Sequence, residues 1–232
     1  MNPYQLALWA MVRPPYRWFL APQVSGVENV AKAAGKAREE NKGLLLVANH
    51  ISAWDPMFIC AVLEFHVLRD LGTVTFLGKR ELFDRPWKRW FMNRLGCVNI
   101  RERSVVRRVI RGLRQGNVYF LFPEGCVSSD GRMGQDLGAV RFFAKHGSFV
   151  VLPIRLHGIW GGFRKDWRNI VAGRRRLRVA FGEPVLVEKG DRRHLDAMAL
   201  IRDVTFGPES APQWVPFGAT LCRGVPSFVD QT

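Results

Sequence analysis

Leu44-Leu45-Leu46-Val47-Ala48-Asn49-His50-Ile51-Ser52-Ala53-Trp54-Asp55-Pro56 is the stretch whose reading decides the fold. Its first five residues are apolar without a break and too few for a helix, so they read as a buried strand. A polar loop follows. Asp55 then reads as a helix N-cap with Pro56 at the first helical position, and a helix is expected over residues 56–65. A buried strand that runs through a polar loop into a helix is the repeating unit of an α/β fold. Ligands of open α/β sheets collect at the loop on the strand's C-terminal end.

The same alternation extends outward. Strands are expected over residues 73–77, 97–100, 118–122, 149–156 and 176–181. Helices are expected over 86–94, 104–113 (capped by Ser104), 139–145 and 191–203. The expected class is therefore α/β, a mostly parallel sheet covered by helices, occupying residues 44–206. Residues 1–43 read as an N-terminal helical region and 207–232 as an extended, Pro- and Gly-rich tail. In the first twenty residues Tyr4, Leu6, Leu8, Trp9, Met11, Trp18, Phe19 and Leu20 interleave with Arg13 and Arg17. They predict an amphipathic helix broken at Pro14–Pro15. Two placements fit it: the interface of a membrane, or the protein's own core.

Composition narrows the classes. The 232 residues hold 35 Lys and Arg against 20 Asp and Glu, a net charge of +15, which calls for an anionic partner. A hydrophobic fraction of 47% excludes disorder throughout, and no apolar run approaches the ~20 residues of a membrane span. Eight Trp and sixteen Phe against three Tyr suit a membrane interface, although aromatic and basic residues also stack on bases. Cys60, Cys97, Cys126 and Cys222 stand far apart with no CxxC, which argues against a zinc ribbon, a dithiol redox site and a disulfide scaffold, and fits a reducing cytosol. Pro3, Pro14 and Pro15 interrupt the N-terminal apolar stretch, so no signal peptide is expected. His66, His146, His157 and His194 share no metal-ligand spacing and read as structural, so no metal site is expected.

Three loops carry candidate chemistry, each at the end of an expected strand. In the first, Asp55 follows His50 by five residues, close enough to fold back so that the carboxylate meets the ring, fixes its tautomer and leaves the other nitrogen as a base. The bland alternative leaves Asp55 as a cap and His50 as a loop residue. The second is Phe122-Pro123-Glu124-Gly125, whose Glu124 shares the rim with His50 if the sheet is parallel, or is an exposed turn carboxylate. The third is Gly78-Lys79-Arg80-Glu81-Leu82, two cations that suit a phosphate or form a solvated turn. Cys126 lacks an adjacent His and makes a poor nucleophile. Arg174-Arg175-Arg176 with Arg178 is a solvated basic face or a contact for anionic lipid.

Taken in order, Asn49-His50 with Asp55, Gly78-Lys79-Arg80-Glu81-Leu82, Phe122-Pro123-Glu124-Gly125 and Val151-Leu152-Pro153-Ile154 resemble the four blocks of the glycerolipid acyltransferases. The 1-acylglycerol-3-phosphate acyltransferase (PlsC-like) branch is the nearest. The resemblance covers residues 44–184, ending on Phe181-Gly182-Glu183-Pro184. It implies transfer of a fatty acyl group from acyl-CoA or acyl-carrier protein, as co-substrate rather than cofactor, to the hydroxyl of a lysolipid in phospholipid biosynthesis. It also implies a peripheral enzyme on the cytoplasmic face of an anionic membrane. By that resemblance His50 is the general base and Asp55 orients it. Lys79 and Arg80 lie near the acceptor phosphate, Glu124 and Gly125 shape the acceptor pocket, with Glu124 holding a hydroxyl, and Pro153 forms a wall. One departure stands out: Cys126-Val127-Ser128 replaces the family's Thr-Arg-Ser, so the arginine that clamps phosphate is missing. Arg132 in the same Gly-rich loop is the candidate substitute, or the acceptor lacks a terminal phosphomonoester.

The rival functions are an acyl-thioester hydrolase, a catalytically silent lipid-binding relative and a basic nucleic-acid-binding module. The cation cluster argues against the hydrolase, and the nucleic-acid reading leaves residues 49–55 unexplained. No nucleic-acid partner is expected.

Overall fold

The structure is a computed structural model that describes residues 2–100, 102–128, 131–158, 177–191 and 196–207. His194, Cys222, Arg174 to Arg176 and the tail beyond Gly207 lie outside the described residues.

The chain opens with α1 (Pro3–Leu20), β1 (Gln23–Ser25) and α2 (Glu28–Glu39). The strand read first is β2 (Leu44–Ala48), followed by α3 (Asp55–Val62), α4 (Phe65–Leu71) and β3 (Val74–Gly78). A short 3-10 turn (Arg80–Phe83) leads into α5 (Pro86–Arg94), β4 (Cys97–Asn99), α6 (Arg103–Arg114) and β5 (Val118–Leu121). Next come α7 (Ala139–Ala144), β6 (Phe149–His157), β7 (Arg178–Phe181), β8 (Val185–Val187) and α8 (Ala197–Arg202).

The sheet runs β1-β7-β6-β2-β5-β3-β4, with β8 beside β6. From β6 to β4 every pair is parallel, as is β1 with β7, while β7 and β8 lie antiparallel to β6. The sheet is thus mostly parallel and flanked by helices. All five residues of β2 are buried, because its alternating side chains feed two cores. Leu44, Leu46 and Ala48 join Val30 and Ala33 of α2, Phe58 and Ile59 of α3 and Leu68 of α4. Leu45 and Val47 join Val105, Val109 and Leu113 of α6, Phe143 of α7 and Met198 of α8.

Several boundaries differ from the sequence reading. Residues 1–43 are not set apart from the α/β body: β1 pairs with β7 and α2 lies in the core. α1 runs unbroken through Pro14 and Pro15. The prolines deprive two carbonyls of helical donors, but the residues four before them, Ala10 and Met11, lie on the exposed side. Tertiary contacts of Trp9 and Tyr16 hold the helix on either side of the prolines. The expected single helix over 56–65 ends at Val62, and α4 follows as a separate segment. Ser104 lies inside the first turn of α6 rather than capping it, the N-cap being Glu102.

The connections direct the chain away from the sheet centre. From β2 it passes over β5 to β3; from β5 it passes over β2 to β6. Adjacent strands whose connections leave in opposite directions open a crevice at their C-terminal ends, the usual ligand position in such sheets.

Candidate active site

The crevice between the ends of β2 and β5 holds His50 and Glu124. Asn49 anchors the first loop: buried, it donates through Nδ2 to the Leu156 carbonyl at 2.9 Å and accepts at Oδ1 from the Leu156 amide at 2.7 Å. One side chain thereby extends the β2–β6 ladder by a step beyond Ala48.

His50 follows and is fixed on four sides. Its amide donates to Glu124 Oε1 at 2.8 Å and its carbonyl accepts from the Ser128 amide at 2.7 Å. Its ring stacks on Phe122, centroids 3.8 Å apart and planes within 10°. Its Nδ1 faces Asp55 Oδ2 at 2.9 Å. Asp55 is the first residue of α3 and has no exposed surface. Instead of capping the helix ahead of it, Oδ2 also accepts from the amides of Ile51 at 2.7 Å and Ser52 at 2.9 Å. Burial pushes the Asp55 carboxyl above the usual carboxylate range, while the His50 hydrogen bond and the Ser52 and Ile51 amides pull it back. A carboxylate on Nδ1 favours the tautomer with its proton there, which leaves Nε2 as the basic nitrogen.

Glu124 is buried, and both of its oxygens are occupied by backbone: Oε1 by the His50 amide, Oε2 by the Gly134 amide at 2.8 Å. The expected hold on a substrate hydroxyl would have to use the acceptor capacity that these two amides leave. Its first task is to clasp the His50 loop to the Gly-rich loop, and only its remaining lone pairs could accept from a ligand. Two glycines allow the clasp. Gly125 takes a φ of +63°, and a Cβ there would stand 2.5 Å from Leu137 Cδ1. At Gly134 a Cβ would stand 2.8 Å from Glu124 Oε2.

Pro153, expected at a wall of the site, is buried inside β6 and paired with Val47. It sits where the far edge of β6 passes from β8 (through Val151) to β7 (from Ile154), a gap in the ladder that tolerates a residue without an N–H.

The cations lie on the exposed part of the rim. Lys79 and Arg80 are exposed at the end of β3, the strand next to β5. Arg132 is exposed on the Gly-rich loop, two residues before Gly134. Val127 is exposed and immediately precedes the amide that holds the His50 carbonyl. Cys126 is exposed, whereas burial pushes the Cys60 and Cys97 thiols up to about 12. Next to the rim, an apolar cavity of about 240 Å³ opens between α6 and α7, lined by Leu77, Ile100, Val109, Leu137, Phe142 and Phe143.

Sequence reasoning assigned no role to Asn49, to the Phe122 ring or to Gly134. Asn49 and Phe122 were visible as members of their motifs. Gly134 carried no signal, since its task depends on where the loop returns.

Similarity to known proteins agrees with this geometry. The chain is 30% identical over 194 residues to a chloroplast 1-acyl-sn-glycerol-3-phosphate acyltransferase of Arabidopsis thaliana, covering 79% of this chain and 48% of that protein. It is 26% identical over 155 residues to a lyso-ornithine lipid O-acyltransferase of Pseudomonas aeruginosa, covering 65% and 54%. The chain thus spans about half the length of these curated relatives. The fold resembles the crystal structure of the 1-acyl-sn-glycerophosphate acyltransferase PlsC from Thermotoga maritima, with a TM-score of 0.59 at 23% identity, over 85% of this chain and 77% of that one. Residues 21–157, which run from β1 through the His50 and Glu124 loops to the end of β6, match the family described as Acyltransferase, and the chain belongs to that family.

Proposed function

We propose that the protein transfers a fatty acyl group from a thioester donor, acyl-CoA or acyl-carrier protein, to the hydroxyl of a lysolipid. The observation that carries this reading is the His50–Asp55 pair, 2.9 Å apart at the crevice, with Nε2 as the basic nitrogen. Nε2 takes the proton of the acceptor hydroxyl as its oxygen adds to the thioester carbonyl. The C–S bond then breaks, the thiolate leaves, and the proton held on His50 passes to the sulfur. Asp55 fixes the ring and stabilises its charged form during the transfer. The thioester arrives activated, so this route asks only for a base and for positioning.

Lys79, Arg80 and Arg132 supply positive charge for an acidic acceptor, and Gly125 leaves room beside the clasp. The apolar cavity between α6 and α7 offers a place for the acyl chain. No described helix is long and apolar enough to cross a membrane, and we place the protein peripherally on the cytoplasmic face, where its lipid acceptor lies in the bilayer surface. Val127 keeps two acceptor classes in play, a phosphomonoester such as 1-acylglycerol-3-phosphate or a lysolipid without one.

The test is to incubate the protein with labelled acyl-CoA or acyl-carrier protein and a panel of lysolipids, then separate the products. Acylated lipid that forms only with an acceptor supports the reading. Thioester consumed equally without any acceptor identifies a hydrolase instead, and no turnover with any donor points to a silent lipid-binding relative.

A further inference from the structure

We infer that the protein docks on anionic bilayers through two helices, α1 and α5, whose outward stripes join into one aromatic and basic surface. This deepens the membrane reading above by naming the surface.

Helix α1 is occupied on one side by the protein. Gln5 donates through Nε2 to the carbonyls of Val74 and Leu95, Trp9 Nε1 donates to the Leu63 carbonyl, and Tyr16 meets the Phe58 ring edge-on at 5.1 Å. Arg13 and Arg17 are both paired with Glu64. Both placements read for this stretch are thus realised in part, and Trp9 belongs to the core side. The opposite side carries Tyr4, Ala7, Met11, Pro14 and Trp18, spaced by alternating steps of three and four. All five are exposed and none is charged, with Met11 68% and Trp18 55% exposed. A helix apolar on both sides calls for cover on both.

Helix α5 buries no residue at all. Trp87 (62% exposed), Trp90 (57%) and Phe91 stand at i, i+3 and i+4, hence on one face. Arg85, Lys88, Arg89 and Arg94 accompany them. Indole rings with basic neighbours are suited to the headgroup level of a bilayer, where the ring meets lipid and the cation meets phosphate.

Arg94 joins the two stripes. Its guanidinium lies 4.9 Å from the Tyr4 ring and 5.1 Å from the Trp90 ring, and it hydrogen-bonds the Tyr4 hydroxyl. Asn2 Nδ2 donates to the Arg94 carbonyl at 2.8 Å. This junction lies at the N-terminal end of β3 and β4, where Gln5 meets Val74 and Leu95; from it α5 leads back to the turn that follows Lys79 and α1 leads to the Phe58 side of α3, so the far ends of both helices reach towards the rim that carries His50. A second copy of the chain is a poorer occupant, because a two-fold contact would set this basic patch against itself. A net charge of +15 likewise favours an anionic bilayer.

The test measures partitioning of the full chain onto phosphatidylcholine vesicles with and without phosphatidylglycerol, at low and high salt. Binding is expected to need the anionic lipid and to weaken with salt. The double variant Trp87→Ser/Trp90→Ser, and separately Met11→Ser/Trp18→Ser, should each lose about ten-fold or more of vesicle affinity. The thermal unfolding transition of the α5 pair should stay in place, since neither ring is buried. Lys88→Glu/Arg89→Glu provides a second variant at the same helix and should also weaken binding at low salt. Wild-type partitioning by the α5 variants overturns the inference. So does a concentration-dependent dimer that the same substitutions dissociate, or an RNA oligonucleotide that binds more tightly than the vesicles. The assay contains no acyl donor or acceptor, so its failure leaves the acyl-transfer reading standing, and the failure of acyl transfer leaves it standing in turn.

Discussion

The two halves of the rim are built in opposite ways. Around β2 and β5 the functional groups are short, buried and bolted to backbone: Asp55 takes two amides and the imidazole, and Glu124 takes two amides from loops 74 and 10 residues away in sequence. Towards β3 and the Gly-rich loop stand Lys79, Arg80 and Arg132, long side chains at the exposed surface. Groups that move a proton gain from being held in place before the substrate arrives. Groups that recognise a headgroup can remain adjustable, because charge acts at a distance and tolerates a change of position. Substitutions on the clasped half should therefore strike turnover or folding, and those on the exposed half should strike acceptor affinity.

The largest effect is expected at His50. His50→Ala should reduce acyl transfer by about 10²- to 10⁴-fold, with acceptor KM little changed and vesicle binding intact. Turnover near that of the wild type would remove the base from the mechanism. Asp55 adds a test by pH. Its carboxyl ionises near the ordinary 3.8 in the unfolded chain and higher in the folded protein, because burial disfavours the charge. The folded state then binds that proton more tightly, so the stability it contributes is full below 3.8 and is lost as pH rises through the raised value. Asp55→Asn has no such slope, and its unfolding free energy should gain on the wild type across that acid window. A wild-type advantage that grows with pH over the same interval would contradict the raised carboxyl.

Next in size is the clasp. Glu124→Ala leaves the His50 and Gly134 amides without their acceptor, at a cost of about 1–3 kcal/mol for each that stays dry. The unfolding midpoint should fall by about 2–4 °C per kcal/mol for a chain of this size. Glu124→Gln should fall less, since its amide oxygen can still accept from one of the two. Equal midpoints for both variants and the wild type would show that the clasp holds nothing. A rise in acceptor KM without any loss of stability would make Glu124 a hydroxyl holder rather than a clasp.

These contrasts also explain what the sequence revealed. The His50–Asp55 contact was legible because it closes within five residues, inside one loop between an apolar run and a Pro-marked helix start. The parallel sheet was legible because β2 and β5 are short unbroken apolar runs and β6 opens on one, Phe149 to Leu152. The clasp was not, since His50 and Glu124, 74 positions apart, meet only through the order in which β5 inserts beside β2. The setting of Pro153 was hidden for a related reason: its motif lies in a strand, and only the handover from β8 to β7 shows why a proline is tolerated there. α1 misled because prolines ordinarily end helices, and contacts with distant residues such as Phe58 and Leu63 override that preference. β1, α2 and α4 carry short or small-residue patterns whose burial depends on partners far along the chain.

The smallest effects belong to the exposed half, where the missing arginine makes the sharpest test. Val127 immediately precedes Ser128, whose amide holds the His50 carbonyl, so a longer side chain at 127 starts close to the reacting centre. If a phosphomonoester acceptor is used, its charge must be met by Arg132, Lys79 or Arg80. Loss of one charge-assisted contact costs about 1.5–3 kcal/mol, or about ten- to hundred-fold in affinity. Arg132→Ala should then raise the KM for 1-acylglycerol-3-phosphate within that range at unchanged kcat. Exposure to solvent and salt moves the expected value towards the lower end. If instead the natural acceptor carries no terminal phosphomonoester, Arg132→Ala should matter little for it, and Val127→Arg should shift preference towards 1-acylglycerol-3-phosphate by restoring the planar, bidentate donor that phosphate favours. The measurement is one acceptor panel run on the wild type and both variants. A wild type that prefers 1-acylglycerol-3-phosphate and keeps its KM in Arg132→Ala transfers the phosphate to Lys79 and Arg80. A fall in kcat at constant KM in either variant would break the division between the two halves of the rim, because it would tie an exposed cation to the transition state rather than to the acceptor.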